Sequence, residues 1–465
     1  MSSRATIPPG LPRDNPTQSY WQDPPDEIAD CRTTPNLPDE ADIVIIGSGI
    51  SGASVSYNLL SSDPSRRIVL LEARQAASGA SGRNGGHTKT ATYRSFHENV
   101  KVIGPEDAIK ITKLEYNCMA TVHAFSRQNG IDCDSRRCQT IDVFYDPVPW
   151  KAARESVVLM EELMGSDAPK HIFHNAQETA DKYLSPDSLG GLEYESGSLS
   201  AYKFTIGVLK LALKKGLNLQ CNTPANKISK SSDGTWTVDT PRGCIKTEKL
   251  VLATNGYSAH LYHRLQGVII PLRGVVTAQR PGQKMPQKGL ETTYSFVYEQ
   301  GFEYMISRPA GTKFEGDIVI GGGMHKAEGG GESEYGNTDD TTYDEGSAAF
   351  LLECTKTYFG SNWGPDHPDG QCRKIWSGVM GFSSDGYPLV GPVPGEEGLY
   401  LDASFQGHGM VLCFLCAKAA AQMIDGKDDK ELDGWFPHVY RVTEQRLQKK
   451  FAGKLRASGA PEGGL

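Results

Sequence analysis

Two glycine-rich segments near the N-terminus have residue types and spacings that could bind a nucleotide cofactor: residues 47–52 (GSGISG) and residues 78–87 (SGASGRNGGH). The first follows an apolar run over Asp42–Ile46, typical of a buried parallel strand, and opens a predicted helix over Gly49–Ser61. Glu72 stands at the end of the next predicted strand. Strand, glycine turn, helix, strand and acidic residue together predict a βαβ unit that binds a dinucleotide.

Each glycine of the first segment has a physical role in this interpretation. Gly47 permits a tight turn, Gly49 lets the backbone approach a pyrophosphate, and Gly52 lets the helix pack closely on the strand. N–H groups at the helix N-terminus attract the anion. Glu72 accepts hydrogen bonds from ribose hydroxyls and disfavours the 2′-phosphate of NADP. The cofactor is therefore FAD or NAD, and its predicted contacts are Gly47, Ser48, Gly49, Ile50, Ser51, Gly52, Glu72, Ala73 and Arg74.

The second segment favours FAD. It lies just past the ribose-binding end of the second strand, where a loop of small residues can follow the extended flavin part of FAD; NAD has no evident need for such a loop. Near the C-terminus, a glycine turn precedes a helix predicted from Met410 to Ile424, whose N-terminal N–H groups would stabilise the negative charge of reduced flavin. The predicted contacts are Ser78, Ser81, Arg83, Asn84, Gly85, Gly86 and His87, with Gly407, His408, Gly409 and Met410.

Two packed domains must position these segments, because 465 residues exceed what one hydrophobic core usually serves. We predict an α/β (α+β overall) fold: a Rossmann-type FAD-binding domain of discontinuous segments and a substrate domain with a mixed, largely antiparallel sheet. Tyr20 and Trp21 anchor an irregular lead-in, and the acidic, glycine-rich residues 326–346 indicate a surface loop or a partly disordered insertion. The predicted boundaries are 1–40 for the lead-in; 41–100, 195–260 and 372–425 for the FAD-binding domain; 101–194 and 261–371 for the substrate domain; and 426–465 for a C-terminal extension.

Composition excludes several classes of partner. The net charge of −8 argues against a nucleic-acid or anionic-membrane surface, and no apolar run is long enough for a membrane-spanning helix. The Pro-rich N-terminus lacks the apolar core of a signal peptide, and ten scattered cysteines suit reduced thiols, so we expect a cytoplasmic protein. Cys413 and Cys416 share one face of an apolar helix, which indicates packing rather than metal or redox chemistry.

The chain resembles the D-amino acid oxidase superfamily of FAD-dependent amine and amino acid oxidoreductases, and within it the gamma-glutamylputrescine oxidoreductase-like branch. The resemblance implies FAD held by the segments above, adenine contacts near Ala225, and further contacts near Thr254 and Asn255. Besides both glycine segments and Glu72, it rests on SGSLSAYKF (Ser196–Phe204), VLATNGYS (Val251–Ser258), YMISRPAG (Tyr304–Gly311), IVIGGG (Ile318–Gly323), SSDGYPLVGP (Ser383–Pro392) and ASFQGHGM (Ala403–Met410), in the family's order over about residues 41–425.

This resemblance implies oxidation of a carbon–nitrogen bond. A neutral amine transfers a hydride equivalent from its α carbon to flavin N5, the imine hydrolyses, and oxygen reoxidises the flavin with formation of hydrogen peroxide. The expected partners are a small-molecule amine or amino acid and molecular oxygen. An oxidase is favoured over a dehydrogenase, although Asp317–Gly323 lacks the lysine that oxidases of the superfamily often place near N5. The alternatives are an FAD-dependent monooxygenase and a flavoprotein binding subunit without turnover.

Four residues are candidates for catalytic roles. His87 is interpreted first as a non-covalent neighbour of the flavin; a loop histidine held by backbone and a covalent attachment point are the alternatives. A cysteinyl flavin is not expected, because Trp376–Phe382 contains no cysteine. Lys89 could replace the missing lysine or be a solvated surface residue. Tyr304 and Arg308 could clamp a substrate carboxylate; without a clear clamp, the expected substrate is an amine or an N-modified amino acid.

Overall fold

The computed structural model describes residues 3–427 and 429–453, so the last part of the predicted C-terminal extension lies outside the described residues. The strands are β1 (Glu40–Ile46), β2 (Ile68–Leu71), β3 (Arg136–Phe144), β4 (His171–Asn175), β5 (Gly190–Ser198), β6 (Asn218–Gln220), β7 (Lys227–Lys230), β8 (Trp236–Thr240), β9 (Gly243–Leu252), β10 (Ile269–Gln279), β11 (Thr293–Tyr298), β12 (Gly301–Ser307), β13 (Ile318–Gly322), β14 (Cys372–Ser383), β15 (Leu389–Pro392) and β16 (Leu399–Ala403). The α-helices are α1 (Ile50–Ser62), α2 (Tyr93–Gln128), α3 (Pro147–Met164), α4 (Ala176–Tyr183), α5 (Ala201–Lys214), α6 (Ser258–Leu261), α7 (Glu345–Phe359), α8 (Cys413–Ile424), α9 (Asp429–Asp433) and α10 (Glu444–Gln448).

The first sheet has the order β15-β16-β9-β1-β2-β6, and a β7–β8 hairpin joins it through β9. Strands β16, β9, β1, β2 and β6 are mutually parallel, as the predicted βαβ unit requires. Side chains of β1 alternate between two cores because successive residues of a strand face opposite sides. Ile43 and Ile45 pack with residues of α1, α5 and α8, whereas Val44 and Ile46 pack with the β8 strand on the other side.

The second sheet has the order β14-β10-β13-β12-β11-β3-β5-β4. Only the β11–β3 neighbours in that order are parallel; the other adjacent pairs are antiparallel. This arrangement confirms the predicted mixed, largely antiparallel sheet. Helix α2 begins at Tyr93 and is interrupted at Gly104 (φ 83°), immediately before Pro105. Proline disfavours helical backbone at the residue before it, which explains the interruption.

Two strands lie in a different sheet from the one their predicted domain implies. Residues 372–383 were predicted to begin a segment of the FAD-binding domain, but they form β14, which pairs with β10 along its length. Residues 195–198 likewise belong to β5, paired with β3 in the second sheet. Apolar content alone could not separate these strands, because strands of both sheets are buried. The division into domains otherwise stays a prediction.

The predicted loop at 326–346 is packed against the second sheet, contrary to expectation. Tyr335 forms a β-bridge with Leu272. Glu334 accepts two hydrogen bonds from the Arg273 guanidinium at 2.6 and 2.9 Å, and Asp340 is 1 % exposed. The acidic composition that suggested a solvated segment instead supplies carboxylates to buried arginines.

No helix in the described part of the chain is both long and apolar enough to cross a membrane. The cytoplasmic location stays a prediction.

Candidate active site and cofactor cleft

A cleft opens at the carboxyl ends of β1, β2 and β9, where α1 begins, and it has about 1530 Å³ of space not filled by atoms, part of which is open to solvent. Carboxyl ends of parallel strands are where open α/β sheets bind ligands. The predicted cofactor residues that line the cleft are Gly47, Gly49, Ile50, Ser51, Glu72, Ala73, Arg74, Ser81, Arg83, Asn84, Ala225, Thr254, Asn255, Gly407, Gly409 and Met410. The predicted cofactor residues that do not line it are Ser48, Gly52, Ser78, Gly85, Gly86, His87 and His408.

The first glycine segment is built from backbone-to-backbone contacts. Gly47 has a φ of +105°, and a Cβ there would lie 2.5 Å from the carbonyl oxygen of Ala253 on the neighbouring strand end. A Cβ at Gly52 would lie 1.9 Å from the carbonyl oxygen of Gly47. Both positions therefore require glycine, and Gly52 acts through helix–strand packing rather than by facing the cleft.

Glu72 is oriented by three donors. Its Oε2 accepts hydrogen bonds from the Ser48 backbone N–H at 3.0 Å and the Ser48 hydroxyl at 2.6 Å, and its Oε1 accepts one from the Arg74 N–H at 2.9 Å. Ser48 is fully buried beneath the turn, where its hydroxyl also accepts from the Ala77 N–H. Because each carboxylate oxygen can accept two hydrogen bonds, Glu72 retains acceptor capacity while it lines the cleft.

The second glycine segment is attached to the first. The Ser81 hydroxyl accepts a hydrogen bond at 2.9 Å from the N–H of Ile50, the first residue of α1. Trp21 Nε1 donates to the Asn84 carbonyl oxygen at 2.5 Å, so the predicted anchor in the lead-in packs on this segment. The second segment therefore lies between the start of α1 and the N-terminal residues.

Two buried arginines, Arg74 and Arg83, form ion pairs and hydrogen bonds next to the second glycine segment. Arg74 Nη1 lies 2.9 Å from a carboxylate oxygen of Asp340, and Arg83 Nε lies 3.7 Å from the same oxygen. The Arg83 guanidinium also donates to the carbonyl oxygens of Ser78 at 3.0 Å and Ser377 at 2.8 Å. Burial lowers the pKa of Arg83 to about 10, and the Asp340 charge opposes that shift. Both guanidinium groups are thus paired with protein oxygens, although the buried Arg74 Nε has no hydrogen-bond partner.

The C-terminal glycine turn differs from the prediction in where its helix begins. Helix α8 begins at Cys413 rather than Met410, because residues 409–411 form a 3₁₀ turn and Leu412 has a non-helical backbone. Ser404 and Gln406 have left-handed φ values of 67° and 53°. The Gln406 side-chain amide donates to the Ser404 carbonyl oxygen at 2.8 Å, which holds the chain in this turn.

Tyr304 is the one predicted catalytic residue that lines the cleft. Its ring packs on the second glycine segment, since a Cβ at Gly85 would lie 2.4 Å from a ring carbon. On the neighbouring strand β13, a Cβ at Gly321 would lie 2.4 Å from the Tyr304 hydroxyl. Burial raises the pKa of Tyr304 to about 12, so the phenol is neutral at physiological pH.

The other three predicted catalytic residues do not line the cleft. His87 Nε2 lies 2.7 Å from the Thr293 hydroxyl, and burial, with a contribution from Lys89, holds the pKa of His87 well below its usual value. Lys89 is buried, contrary to the surface alternative, and its ammonium donates to Asp142 and to Ser295. Arg308 pairs with Asp134 at 2.9 Å and lies over the Trp21 ring, so its guanidinium is not a free carboxylate clamp.

Sequence reasoning missed the lead-in as part of the cleft. Gly10, Leu11 and Pro12 contribute to its lining. Arg74 donates to the Arg13 carbonyl oxygen at 3.1 Å, and Thr17 donates its backbone N–H to the Asp340 carbonyl oxygen at 2.7 Å. Proline-rich, aperiodic sequence gives no signal of such packing; only the aromatic pair at Tyr20 and Trp21 pointed to it.

Neither a group of metal ligands nor a disulfide is found among the described residues. In residues 3–427 and 429–453, no three His, Cys, Asp or Glu side chains are grouped as metal ligands. All ten cysteines lie in the described ranges and are free thiols, and Cys413 and Cys416 are buried as packing residues.

The structure combines a parallel sheet, whose glycine turn lies beside an oriented acidic residue, with a second, largely antiparallel sheet. This combination defines the class of two-sheet, dinucleotide-dependent oxidoreductases. A sequence model described as FAD dependent oxidoreductase (DAO) matches residues 42–423. The chain belongs to this family, which confirms the superfamily predicted from the motifs and FAD as the cofactor. The gamma-glutamylputrescine oxidoreductase-like branch stays a prediction.

Individual relatives are more distant. The chain is 26 % identical over 397 residues to a probable oxidoreductase OrdL of Rhizobium meliloti, covering 85 % of each chain. It is 24 % identical over 389 residues to mitochondrial dimethylglycine dehydrogenase of Rattus norvegicus, covering 81 % of this chain and 42 % of that protein. Among solved structures, glycine oxidase from Geobacillus kaustophilus superposes with a TM-score of 0.70 at 19 % identity, covering 88 % and 99 % of the two chains. At that identity the superposition supports the fold alone.

The residues present fit FAD. Gly49 and Ile50 at the start of α1 lie in the cleft beside Glu72, and the cleft continues past Ser81 and Asn84 to the Gly407–Met410 turn. A Cβ at Gly47 or Gly52 would collide with backbone, so the close-packed turn of a dinucleotide site is already formed. Gly47, Gly49, Glu72 and the second segment would hold the dinucleotide, which supplies a two-electron acceptor when bound.

Proposed function

We propose that this protein oxidises the carbon–nitrogen bond of an amine or N-modified amino acid, with FAD as the electron acceptor and oxygen as the final oxidant. The substrate loses a hydride equivalent from the carbon next to nitrogen, and water hydrolyses the resulting imine to a carbonyl compound and an amine or ammonia. Oxygen takes up the two electrons with two protons, which gives hydrogen peroxide. The names of the relatives above, a dimethylglycine dehydrogenase and a glycine oxidase, support this reaction class.

One observation favours an amine over a simple carboxylic amino acid. The arginines that line the cleft, Arg74 and Arg83, are both held by Asp340 and by carbonyl oxygens. A carboxylate clamp needs a guanidinium or ammonium free to pair with the ligand. Arg308, the clamp predicted from sequence, is paired with Asp134 outside the cleft. Around the cleft, the described residues therefore offer no uncommitted arginine to a substrate carboxylate.

The chain's own contribution to the reaction is positioning and exclusion of water. The Tyr304 ring forms one wall and its neutral phenol can donate a hydrogen bond, but with a pKa near 12 it is not a base at neutral pH. Val276 on β10 and Val379 and Met380 on β14 supply apolar lining of the same cleft. An apolar, water-excluding wall of this kind favours a neutral amine over its ammonium form, and a neutral amine is the form that can lose a hydride equivalent.

The test is an anaerobic screen of the purified, FAD-loaded protein with primary, secondary and N-methylated amines, read by loss of the oxidised flavin absorbance. We expect bleaching by at least one amine and reoxidation when oxygen is admitted, with oxygen consumed and peroxide formed. A flavin that stays oxidised with every amine would support a binding subunit without turnover. Substrate-dependent consumption of NADPH would support a monooxygenase, and bleaching without oxygen consumption a dehydrogenase.

A further inference from the structure

A second cavity lies beside the cofactor cleft, on the other side of the C-terminal glycine turn. It has about 680 Å³ of space not filled by atoms, part of which is open to solvent, and is lined by residues of α2, the loop after β14, and the turn itself. Gln406 and His408 line this cavity, whereas Gly407 and Gly409 line the cofactor cleft. On β12 the same division occurs, because Phe302 lines the second cavity and Tyr304 lines the cleft.

Residues two apart on a strand face the same side. Phe302 and Tyr304 therefore place the two cavities next to each other on one face of the second sheet. The linings of the cleft and of the second cavity therefore adjoin at these two residues.

Glu115, on α2, is the unusual residue of this second cavity. It is 8 % exposed and lines the cavity, yet its carboxylate has no hydrogen bond or ion pair with any of the described residues. Burial alone raises the pKa of Glu115 to about 8. Burying a carboxyl group without a hydrogen-bond or ion-pair partner lowers the stability of the folded protein. A ligand that donates a hydrogen bond or supplies a cation to that group removes this cost, which favours binding.

Other charged or titratable groups that line the cavity among the described residues are already paired or neutral. Arg94, on the same helix, pairs with Asp142 at 2.6 Å, and Asp385, in the loop after β14, pairs with Arg446 at 2.8 Å. His408, in the glycine turn, is held neutral because burial lowers its pKa to about 4. Tyr440, from the C-terminal part of the chain, stays protonated because burial raises its pKa well above the usual value. The cavity thus presents one acidic group without a cation.

We propose that Glu115 binds an ammonium group of the substrate in this second cavity, so that the protein acts on amines that carry a second cationic group. The inference rests on the proposed function and specifies its substrate class as diamines or longer polyamine-like compounds. One nitrogen lies in the cleft beside Tyr304 and is oxidised, while the other lies against Glu115. Binding converts the neutral carboxyl to a carboxylate paired with the ammonium, and the released proton passes to solvent.

The first experiment compares Glu115→Gln with the wild-type holoenzyme on α,ω-diamines and on monoalkylamines of equal chain length. Because glutamine is neutral and nearly isosteric with the protonated carboxyl group, the variant should fold. We expect the wild type to prefer diamines, with the ratio of diamine to monoamine kcat/KM falling at least ~10-fold in the variant, the size of a lost charged hydrogen bond. Glu106→Gln is the matched control, because Glu106 lies on the same helix but is exposed and paired with Lys110; it should keep the wild-type ratio.

The second experiment needs no turnover. tert-Butylammonium has no hydrogen on the carbon next to nitrogen, so it cannot be oxidised by hydride loss, but it can pair with a carboxylate. Calorimetric titration of the holoenzyme at pH 7, in two buffers of different ionisation enthalpy, should show binding with release of up to one proton. Glu115→Gln should bind at least ~10-fold more weakly and release none.

The two arms separate failure of the inference from failure of the proposed function. If no amine bleaches the flavin but tert-butylammonium binds with proton release, the cation site stands and amine oxidation does not. If amines are oxidised but diamines and monoamines show equal kcat/KM in wild type and variant, the role of Glu115 in substrate selection is overturned. Binding of tert-butylammonium that is unchanged in Glu115→Gln would overturn the site itself.

Discussion

The two glycine-rich segments of this protein use glycine against different kinds of neighbour. In residues 47–52, the missing Cβ atoms of Gly47 and Gly52 make room for carbonyl oxygens of the backbone. In residues 78–87, Gly82 and Gly86 also make room for backbone carbonyl oxygens, those of Ala77 and Leu199, but the missing Cβ of Gly85 makes room for the side-chain ring of Tyr304. Gly47 and Gly52 thus face backbone that cannot give way, whereas Gly85 faces a side chain that can.

This difference has a consequence for how each segment is stabilised. The first segment is fixed by its own βαβ unit and by one neighbouring strand end, since its contacts are Gly47 itself and Ala253, the residue that follows β9. The second depends on distant parts of the chain: Asp340 from the packed 326–346 segment, Trp21 from the lead-in, and Ser377 from β14. We therefore expect substitutions at Gly47 and Gly52 to be lethal to the fold and those at Gly85 to be graded and open to compensation.

The largest effect is expected for Gly52→Val. A Cβ at this position would lie 1.9 Å from the Gly47 carbonyl oxygen, so α1 would have to separate from β1. We expect a loss of more than about 4 kcal/mol in the free energy of unfolding, the range of severe core disruptions, together with loss of bound FAD. Urea unfolding and the flavin content of the purified protein measure both.

Ser61→Val is the matched control, because it introduces the same side chain at an exposed position of the same helix. It should cost less than about 1 kcal/mol, from helix propensity alone. A Gly52→Val protein that keeps its stability and its FAD would contradict the assignment of this glycine to helix–strand packing.

The sequence predicted the first segment well because its causes are local. The apolar run of β1, the glycine turn, α1 and Glu72 follow one another within a short stretch, and apart from the contact of Gly47 with Ala253 their physical roles depend on each other. The parallel pairing of β1 with β2 follows from the same unit. The hydroxyl of Ser48, which orients Glu72, could also have been noticed, since serine in a tight turn commonly bonds neighbouring groups.

The catalytic residues were harder to predict because their partners are far away in sequence. Lys89 was expected either near the flavin or in solvent, but Asp142 on β3 binds it in the interior. Arg308 was expected to clamp a substrate, but Asp134 neutralises it. The acidic residues of 326–346 were interpreted as solvated for the same reason: nothing in the local sequence shows that Asp340 meets Arg74 and Arg83. Charge pairing across hundreds of residues is a tertiary property, and periodicity does not encode it.

Asp340→Asn tests the dependence of the second segment on distant carboxylates. The substitution leaves two buried guanidinium groups without their shared anion, and breaking a buried ion pair typically costs about 3–5 kcal/mol. We expect a fall of that size in the free energy of unfolding, measured by urea denaturation, and weaker FAD retention. Glu328→Gln, an exposed change in the same segment, is the control and should shift stability by less than about 0.5 kcal/mol. Equal stabilities of the Asp340→Asn and control proteins would show that the arginines do not need this carboxylate.

Gly85→Ala tests whether a second substitution, at Tyr304, can relieve the steric clash that a side chain at residue 85 creates. The new Cβ would meet the Tyr304 ring at 2.4 Å, and overpacking of this kind costs about 1–3 kcal/mol. In a Tyr304→Leu background the same substitution should cost less than about 0.5 kcal/mol, because the smaller side chain leaves space. The free energies of unfolding of the four proteins form a double-mutant cycle, and additivity of the two changes would contradict a direct contact between Gly85 and Tyr304.

The smallest effect, in Ser81→Ala, tests the one hydrogen bond that joins the two segments. The Ser81 hydroxyl accepts from the Ile50 N–H at the start of α1, and loss of such a cap costs about 1 kcal/mol. An anion at the same helix N-terminus would satisfy that N–H instead, so the cost should be about 1 kcal/mol in the FAD-free protein and smaller in the FAD-loaded protein. Thermal unfolding of both forms measures the difference, with Ser61→Ala on the exposed face of α1 as the control. A cost that is the same with and without FAD would mean that Ile50 keeps its bond to Ser81, and that the cofactor's phosphates bind only the other N–H groups of the turn.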